Sequence, residues 1–199
     1  RVAGLQQHLL ALGVQPGDRV AALMPNTWQT VVGMLAAASI GAVWSSCSPD
    51  FGAQGVVDRF GQIEPRVLIA CSGHRYAGKQ LDMSSKLAEI LPQLSGLQQL
   101  IMVPYGGVDA RVTDFESVVS TAHWDHVSQP AGSPAFTALP FAQPLYILYS
   151  SGTTGVPKCI VHGAGGTLLQ HLKEHGLHTD LGSEDVLFYF TTCGWMMWN

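Results

Sequence analysis

Four short apolar runs early in the chain set the strongest limit on its fold. They are Arg19–Met24, Ala42–Ser46, Val67–Cys71 and Leu97–Val103. Each has the length and make-up of a buried strand. Between and before them lie Val2–Leu12, Val31–Ala38, Gln54–Ile63 and Met83–Leu91, which read as helices. A strand hidden on both faces needs a helix on each. The alternation therefore predicts an α/β fold: layered parallel sheet with helices on both faces. Turn chemistry agrees. Gly13 closes the first helix, and Gln15-Pro16-Gly17-Asp18 turns the chain into the first strand. Asn26 or Thr27 caps the second helix, Pro65 ends the third, and Pro92 follows the fourth.

Composition supports a large core. Of 199 residues, 47% are apolar and only 12% are charged, which excludes a disordered chain. A net charge of −4 without a basic patch gives no footing for nucleic acid. The longest apolar run, Val31–Trp44, is broken by Gly33, Ser39 and Gly41 and is too short to span a bilayer. Cys47, Cys71, Cys159 and Cys193 lie far apart with no Cys-x-x-Cys pair, so reduced thiols and a cytoplasmic protein are expected.

The composition shifts near Ala122. Ser128–Pro144 carries Pro130, Pro134, Pro140 and Pro144 among small residues and reads as a long connection. Three parts are expected: a first α/β subdomain over 1–127, the Pro-rich connection 128–144, and the start of a second α/β subdomain over 145–199. In the last part Leu145–Tyr149 and Cys159–His162 read as two strands of a hairpin. Gly165–His175 reads as a helix and Val186–Thr191 as a further strand. No internal repeat is present. Arg1 stands where Met would begin a chain, and Gly194–Asn199 finishes on apolar and aromatic residues rather than a loose polar tail. The chain is expected to be the interior of a longer protein.

Chemistry gathers in the hairpin loop Tyr149-Ser150-Ser151-Gly152-Thr153-Thr154-Gly155-Val156-Pro157-Lys158. Gly152 and Gly155 permit positive φ and bring backbone N–H groups close to an anion. Ser150, Ser151, Thr153 and Thr154 add hydroxyl donors, and Lys158 adds a mobile point charge suited to phosphate. This is not a Walker A loop, because Val156 and Pro157 separate Gly155 from Lys158. On composition alone, a polar surface turn is the other reading.

The string YSSGTTGVPK resembles the phosphate-loop signature of the adenylate-forming superfamily, which includes acyl-CoA synthetases, luciferase and nonribosomal peptide adenylation domains. Gly17–Asn26 and Gly41–Trp44 resemble two earlier parts of that family in the same order, so the likeness covers essentially the whole chain. Within the superfamily the sequence is most similar to acetoacetyl-CoA synthetases. The strings that carry this are Trp44–Gly52, Lys158–Gly166, Leu169–His175 and Thr191–Asn199. In the related acetyl-CoA synthetases the run after Trp44 differs, and the double Met of Met196-Met197 is missing.

The resemblance implies a ligase with two half-reactions. Acetoacetate attacks the α-phosphate of ATP, and coenzyme A then takes the acyl group and releases AMP. ATP, coenzyme A and Mg²⁺ are the implied cofactors and co-substrates. Only small-molecule partners are implied. Lys158 would stabilise phosphate charge with the loop's hydroxyls and amides. Trp195, Met196 and Met197 match the part of the family motif that lines the acyl pocket. Arg75, Lys79 and Met197 fall where relatives meet coenzyme A, although the Arg75–Lys79 spacing departs by one residue from some of them. The adenine region, a Tyr-Gly-x-Thr-Glu-like motif and the catalytic lysine of relatives lie beyond Asn199. This segment alone is therefore expected to be inactive.

Other readings compete. A ligase for another short carboxylate, such as 3-hydroxybutyrate, fits the same loop. So does a nucleotide-binding module without catalysis. His171-Leu172-Lys173-Glu174-His175 matches H-x-x-E-H, an inverted zinc-peptidase motif with both imidazoles on one helical face and Glu184 or His178 as a third ligand. No metal ligand is otherwise indicated. His162 is read as shaping the start of the following helix. Cys159 is the one cysteine beside the loop.

Overall fold

The structure is a computed structural model and describes residues 1–150 and 155–199. Helix α1 (Val2–Ala11) leads into β1 (Arg19–Leu23), α2 (Trp28–Ser39), β2 (Val43–Cys47), α3 (Ala53–Ile63) and β3 (Val67–Cys71). A hairpin of β4 (Gly73–Tyr76) and β5 (Lys79–Asp82) follows, then α4 (Ser84–Ile90), β6 (Gln99–Val103), β7 (Ser120–His123) and a one-turn α5 (Trp124–Val127). Then come β8 (Pro144–Ser150), β9 (Lys158–Gly163) and α6 (Ala164–Leu172), with a short 3-10 turn at Met196–Trp198 near the last residue.

Among the described residues, seven strands form one sheet in the order β7-β6-β3-β1-β2-β8-β9. Every pairing is parallel except β8 with β9. Ala21 sits between Leu68 of β3 and Ser45 of β2, which fixes the central register. The step from β1 to β2 and the step from β2 to β3 run in opposite directions across the sheet. Right-handed crossovers then place α2 and α3 on opposite faces. Accordingly α1 packs beside α2, and α3 beside α4. This is the parallel α/β sheet that the four apolar runs predict.

The core follows from those runs. Val20–Leu23 and Val67–Cys71 are wholly buried. Leu5 and Leu9 of α1, Ala36 and Ala37 of α2, Phe60 of α3, and Leu87 and Ile90 of α4 close on them. Gly33 lets α2 approach the sheet closely, because a Cβ there would meet Trp44 and Ile69 at 3.0 Å. The segment 128–144 has no helix or strand before Pro144, yet it is held. The side chain of buried Gln6 donates to the Ala135 carbonyl and accepts from the Ala135 N–H (2.9 Å). Thr137 N–H donates to Ser39 O at 3.0 Å. These bonds satisfy groups that burial would otherwise orphan.

Three differences from the sequence reading stand out. The polar β4–β5 hairpin and the edge strand β7 add to the expected elements. The helix over Gly165–His175 is α only to Leu172, then widens into a π-type turn over Lys173–His178. Val186–Thr191 is not a strand. Val186 is 97% exposed and Phe188 83% exposed. A strand needs a neighbour for its N–H and C=O groups, and none pairs with this segment among the described residues.

Candidate nucleotide site

The β8–β9 hairpin brings Ser150 directly opposite Lys158, with Tyr149 opposite Cys159. Ser151, Gly152, Thr153 and Thr154 lie outside the described residues. Gly155 has φ +121°, a conformation that disfavours any side chain. Lys158 is exposed at the head of β9.

The stem of the hairpin is fixed from below by the first half of the chain. Ser45 of β2 donates its Oγ proton to Ile147 O at 2.8 Å and lies 3.0 Å from Tyr149 Oη. Burial pushes the Tyr149 phenol up, so it stays protonated and neutral. The Arg59 guanidinium of α3 lies 4.7 Å from the Phe51 ring centroid and 5.7 Å from that of Tyr149. Gln62 Nε2, one turn further along α3, donates to Pro157 O at 2.9 Å. Burial also raises the thiol of Cys159, so this cysteine is not an activated nucleophile.

A cavity of about 360 Å³ opens between β8, β9 and α6. Tyr146, Val161, His162, Gln170, Met196 and Asn199 line it. Of the three residues placed by resemblance in an acyl pocket, the structure brings Met196 to this cavity. Trp195 is 54% and Met197 66% exposed, and neither is among its walls. The segment is tied back to the sheet by Ser46 Oγ donating to Cys193 O (2.7 Å) and by Trp198 Nε1 donating to Asn26 Oδ1 (2.9 Å). His162 does more than precede the helix, since it walls the cavity.

Arg75 and Lys79 stand on the β4–β5 hairpin, both exposed. Arg75 lines a small cleft of about 160 Å³ with Asn26, Asp50, His74, Tyr105 and Thr192. Lys79 stands outside that cleft. His74 Nε2 lies 3.5 Å from Asp50 Oδ1, and burial lowers the imidazole's pKa more than that carboxylate raises it. The sequence reading missed Asp50 and His74. Asp50 lies in the Trp44–Gly52 string, which was read only as a mark of resemblance, His74 lies in no motif, and the two come together only through the fold.

The H-x-x-E-H string gathers no third ligand among the described residues. The rings of His171 and His175 stand 6.0 Å apart, centroid to centroid. The Glu174 carboxylate is occupied by Gln170 (2.6 Å), Lys173 (3.2 Å) and His178 (3.6 Å). The Lys173 hydrogen bond leads the contacts that hold its pKa low. Among the described residues no group of three His, Cys, Asp or Glu side chains converges as a metal would need.

The family model for AMP-binding enzymes matches residues 1–198. The chain belongs to the AMP-binding enzyme family. It is 57% identical to an acetoacetyl-coenzyme A synthetase of Rhizobium meliloti (strain 1021) over 199 residues, all of this chain and 30% of that protein. It is 47% identical to the acetoacetyl-CoA synthetase of Mus musculus, again over all of this chain and 30% of the relative. The solved structure of the acetoacetyl-CoA synthetase from Streptomyces lividans superposes with a TM-score of 0.92 at 47% identity, covering 99% of this chain and 29% of that one. The chain thus spans about 30% of the length of the curated relatives it matches.

Proposed function

We propose that this chain is a segment of an ATP-dependent ligase that joins acetoacetate to coenzyme A. What supports this most is the 57% identity to an acetoacetyl-coenzyme A synthetase across every residue of the chain. The hairpin geometry is consistent with it. In the first step a carboxylate oxygen of acetoacetate bonds to the α-phosphorus of ATP, the bond to the bridging oxygen breaks, and pyrophosphate leaves. In the second, the sulfur of coenzyme A bonds to the acyl carbon, the acyl–oxygen bond breaks, AMP leaves, and the thiol proton passes to solvent.

Charge neutralisation and positioning carry such a transfer. We assign Ser150, Gly155 and Lys158 to the β- and γ-phosphates, with Ser151, Gly152, Thr153 and Thr154 joining them as the resemblance implies. Mg²⁺ in nucleotide sites is held largely by phosphate oxygens and water, so it is assigned to the nucleotide and not to a set of side chains here. Met196 is the acyl-pocket residue the cavity favours, with Trp195 and Met197 kept as its neighbours by resemblance. Arg75, by its place in the cleft, suits a phosphate of coenzyme A, with Lys79 and Met197 as further candidates. The four unpaired cysteines fit a reducing, cytoplasmic setting, and among the described residues no helix is long and apolar enough to cross a membrane. We retain 1–127 and 145–199 as two subdomains joined by 128–144.

The test is pyrophosphate release by the full-length protein with ATP and Mg²⁺. Acetate, propionate, butyrate, 3-hydroxybutyrate and acetoacetate are compared. A preference for acetoacetate is expected. Preference for another acid overturns the substrate assignment and leaves the ligase. No release with any acid, from folded protein, overturns the ligase.

A further inference from the structure

Helix α3 grips both stems of the β8–β9 hairpin. Arg59 and Gln62 stand three residues apart and so share a helical face. Arg59 meets the ring of Tyr149, the residue before Ser150. Gln62 holds the carbonyl of Pro157, the residue before Lys158. Ser150 and Lys158 are partners across the hairpin. Each strand is therefore held one residue away from the pair that faces the phosphate loop.

The Arg59 contact is not an ordinary surface charge. Its guanidinium is half-buried, donates to Gly55 O at 2.7 Å, and pairs with no carboxylate among the described residues. Its central carbon instead lies over two aromatic rings, those of Phe51 and Tyr149. A half-buried guanidinium held over aromatic rings is a directional contact, because the fork is rigid and the ring quadrupole attracts its charge. Gln62 Nε2 also donates to Asp58 O at 2.6 Å, which holds its amide in place. We propose that Arg59 and Gln62 are positioning residues for the phosphates of ATP, acting through the two stems of the hairpin and not by touching the nucleotide. This rests on the reading of the hairpin as a phosphate site. Displacement by about 1 Å of a group that holds the β- and γ-phosphates of bound ATP, the pyrophosphate that leaves, costs a large part of its effect, so the grip has a kinetic consequence specific to ATP.

The experiment varies ATP at saturating acetoacetate, and acetoacetate at saturating ATP, in the full-length ligase. Pyrophosphate release is followed. Arg59→Ala is expected to raise KM for ATP about tenfold while KM for acetoacetate changes by less than about twofold. Arg59→Lys is expected to recover part of the loss, since an ammonium still attracts the ring but lacks the planar stack. Gln62→Ala, at an exposed position that folding tolerates, is expected to raise KM for ATP about threefold. Unchanged ATP kinetics in Gln62→Ala and Arg59→Ala, or equal effects on both substrates, overturn the assignment. Failure of the unaltered ligase to release pyrophosphate with any acid overturns instead the phosphate-site reading beneath it.

Discussion

Residues 1–127 and 145–199 are both rich in apolar side chains, yet they use them differently. In the first region the strands β1, β3 and β6 are buried nearly throughout, and four helices turn apolar faces onto them. In the second, among the described residues, only Tyr146, Ile147, Leu148 and Cys193 are buried hydrophobics. Helix α6 buries no residue, and Leu168, Leu169 and Leu172 face outward. The difference teaches where the hairpin's order comes from. Its stem is held by Ser45 of β2 and by Arg59 and Gln62 of α3, all in the first region. The site is displayed by one region and stiffened by the other.

The strongest way to break this comparison is Phe60→Ala. Phe60 is fully buried between α3 and the sheet. Removing it forfeits transfer energy and leaves a cavity, so a loss of about 3–5 kcal/mol is expected in urea denaturation of the chain. A loss under about 1 kcal/mol would mean that α3 does not anchor the first region.

Next in size is Lys158→Ala in the full-length protein, tested for the proposed ligase reaction. It should slow adenylate formation about a hundredfold, as loss of one pre-set charge donor does elsewhere. Acetoacetate binding should change little. Single-turnover pyrophosphate release measures the rate directly. An unchanged rate would remove Lys158 from the chemistry.

Gln6→Ala tests whether the proline-rich connection is held as tightly as it looks. Gln6 is buried and serves Ala135 through both ends of its amide, with Ser39 Oγ a further 2.6 Å partner. Truncation leaves the buried Ser39 Oγ without the donor it accepts from, at an expected cost of about 1–3 kcal/mol. Faster proteolytic cutting within 128–144 should accompany it. If neither stability nor cutting changes, the segment is a tether and not part of the packed first region.

How much of this was legible in the sequence differs by region and for physical reasons. β1, β2, β3 and β6 could be read because each is an apolar run closed by turn residues. β4 and β5 could not, since Gly73–Asp82 is mostly polar; its backbone pairing and the approach of Val108 hold it. β7 is likewise a polar edge strand defined by its ladder to β6. Val186–Thr191 was the opposite case: a strand-like sequence with no partner strand. At the site, the hairpin and its Gly155 turn were readable from residue types alone. Arg59 and Gln62 were not. Their contacts reach across the chain, 95 positions in the case of Gln62 and Pro157, and locally both look like solvated helix residues. The resemblance put forward Trp195, Met196 and Met197 together, and which of them meets a cavity depends on how the last turn sits on Asn26 and Ser46.

The smallest expected effect sharpens the comparison most. Leu169→Ala removes a large apolar side chain from α6, just as Phe60→Ala removes one from α3. Leu169 is exposed, so no cavity forms and little area returns to water. Its expected cost in this chain is within about 0.5 kcal/mol, the range of ordinary surface changes. Alanine is also a slightly better helix former than leucine, which pulls the result towards zero or just beyond. The measurement is the same urea denaturation, run beside Phe60→Ala. A loss of about 2 kcal/mol or more would show that α6 is packed against another surface in solution, and dilution would then tell whether that surface is a second copy: a concentration-dependent midpoint is the mark of association.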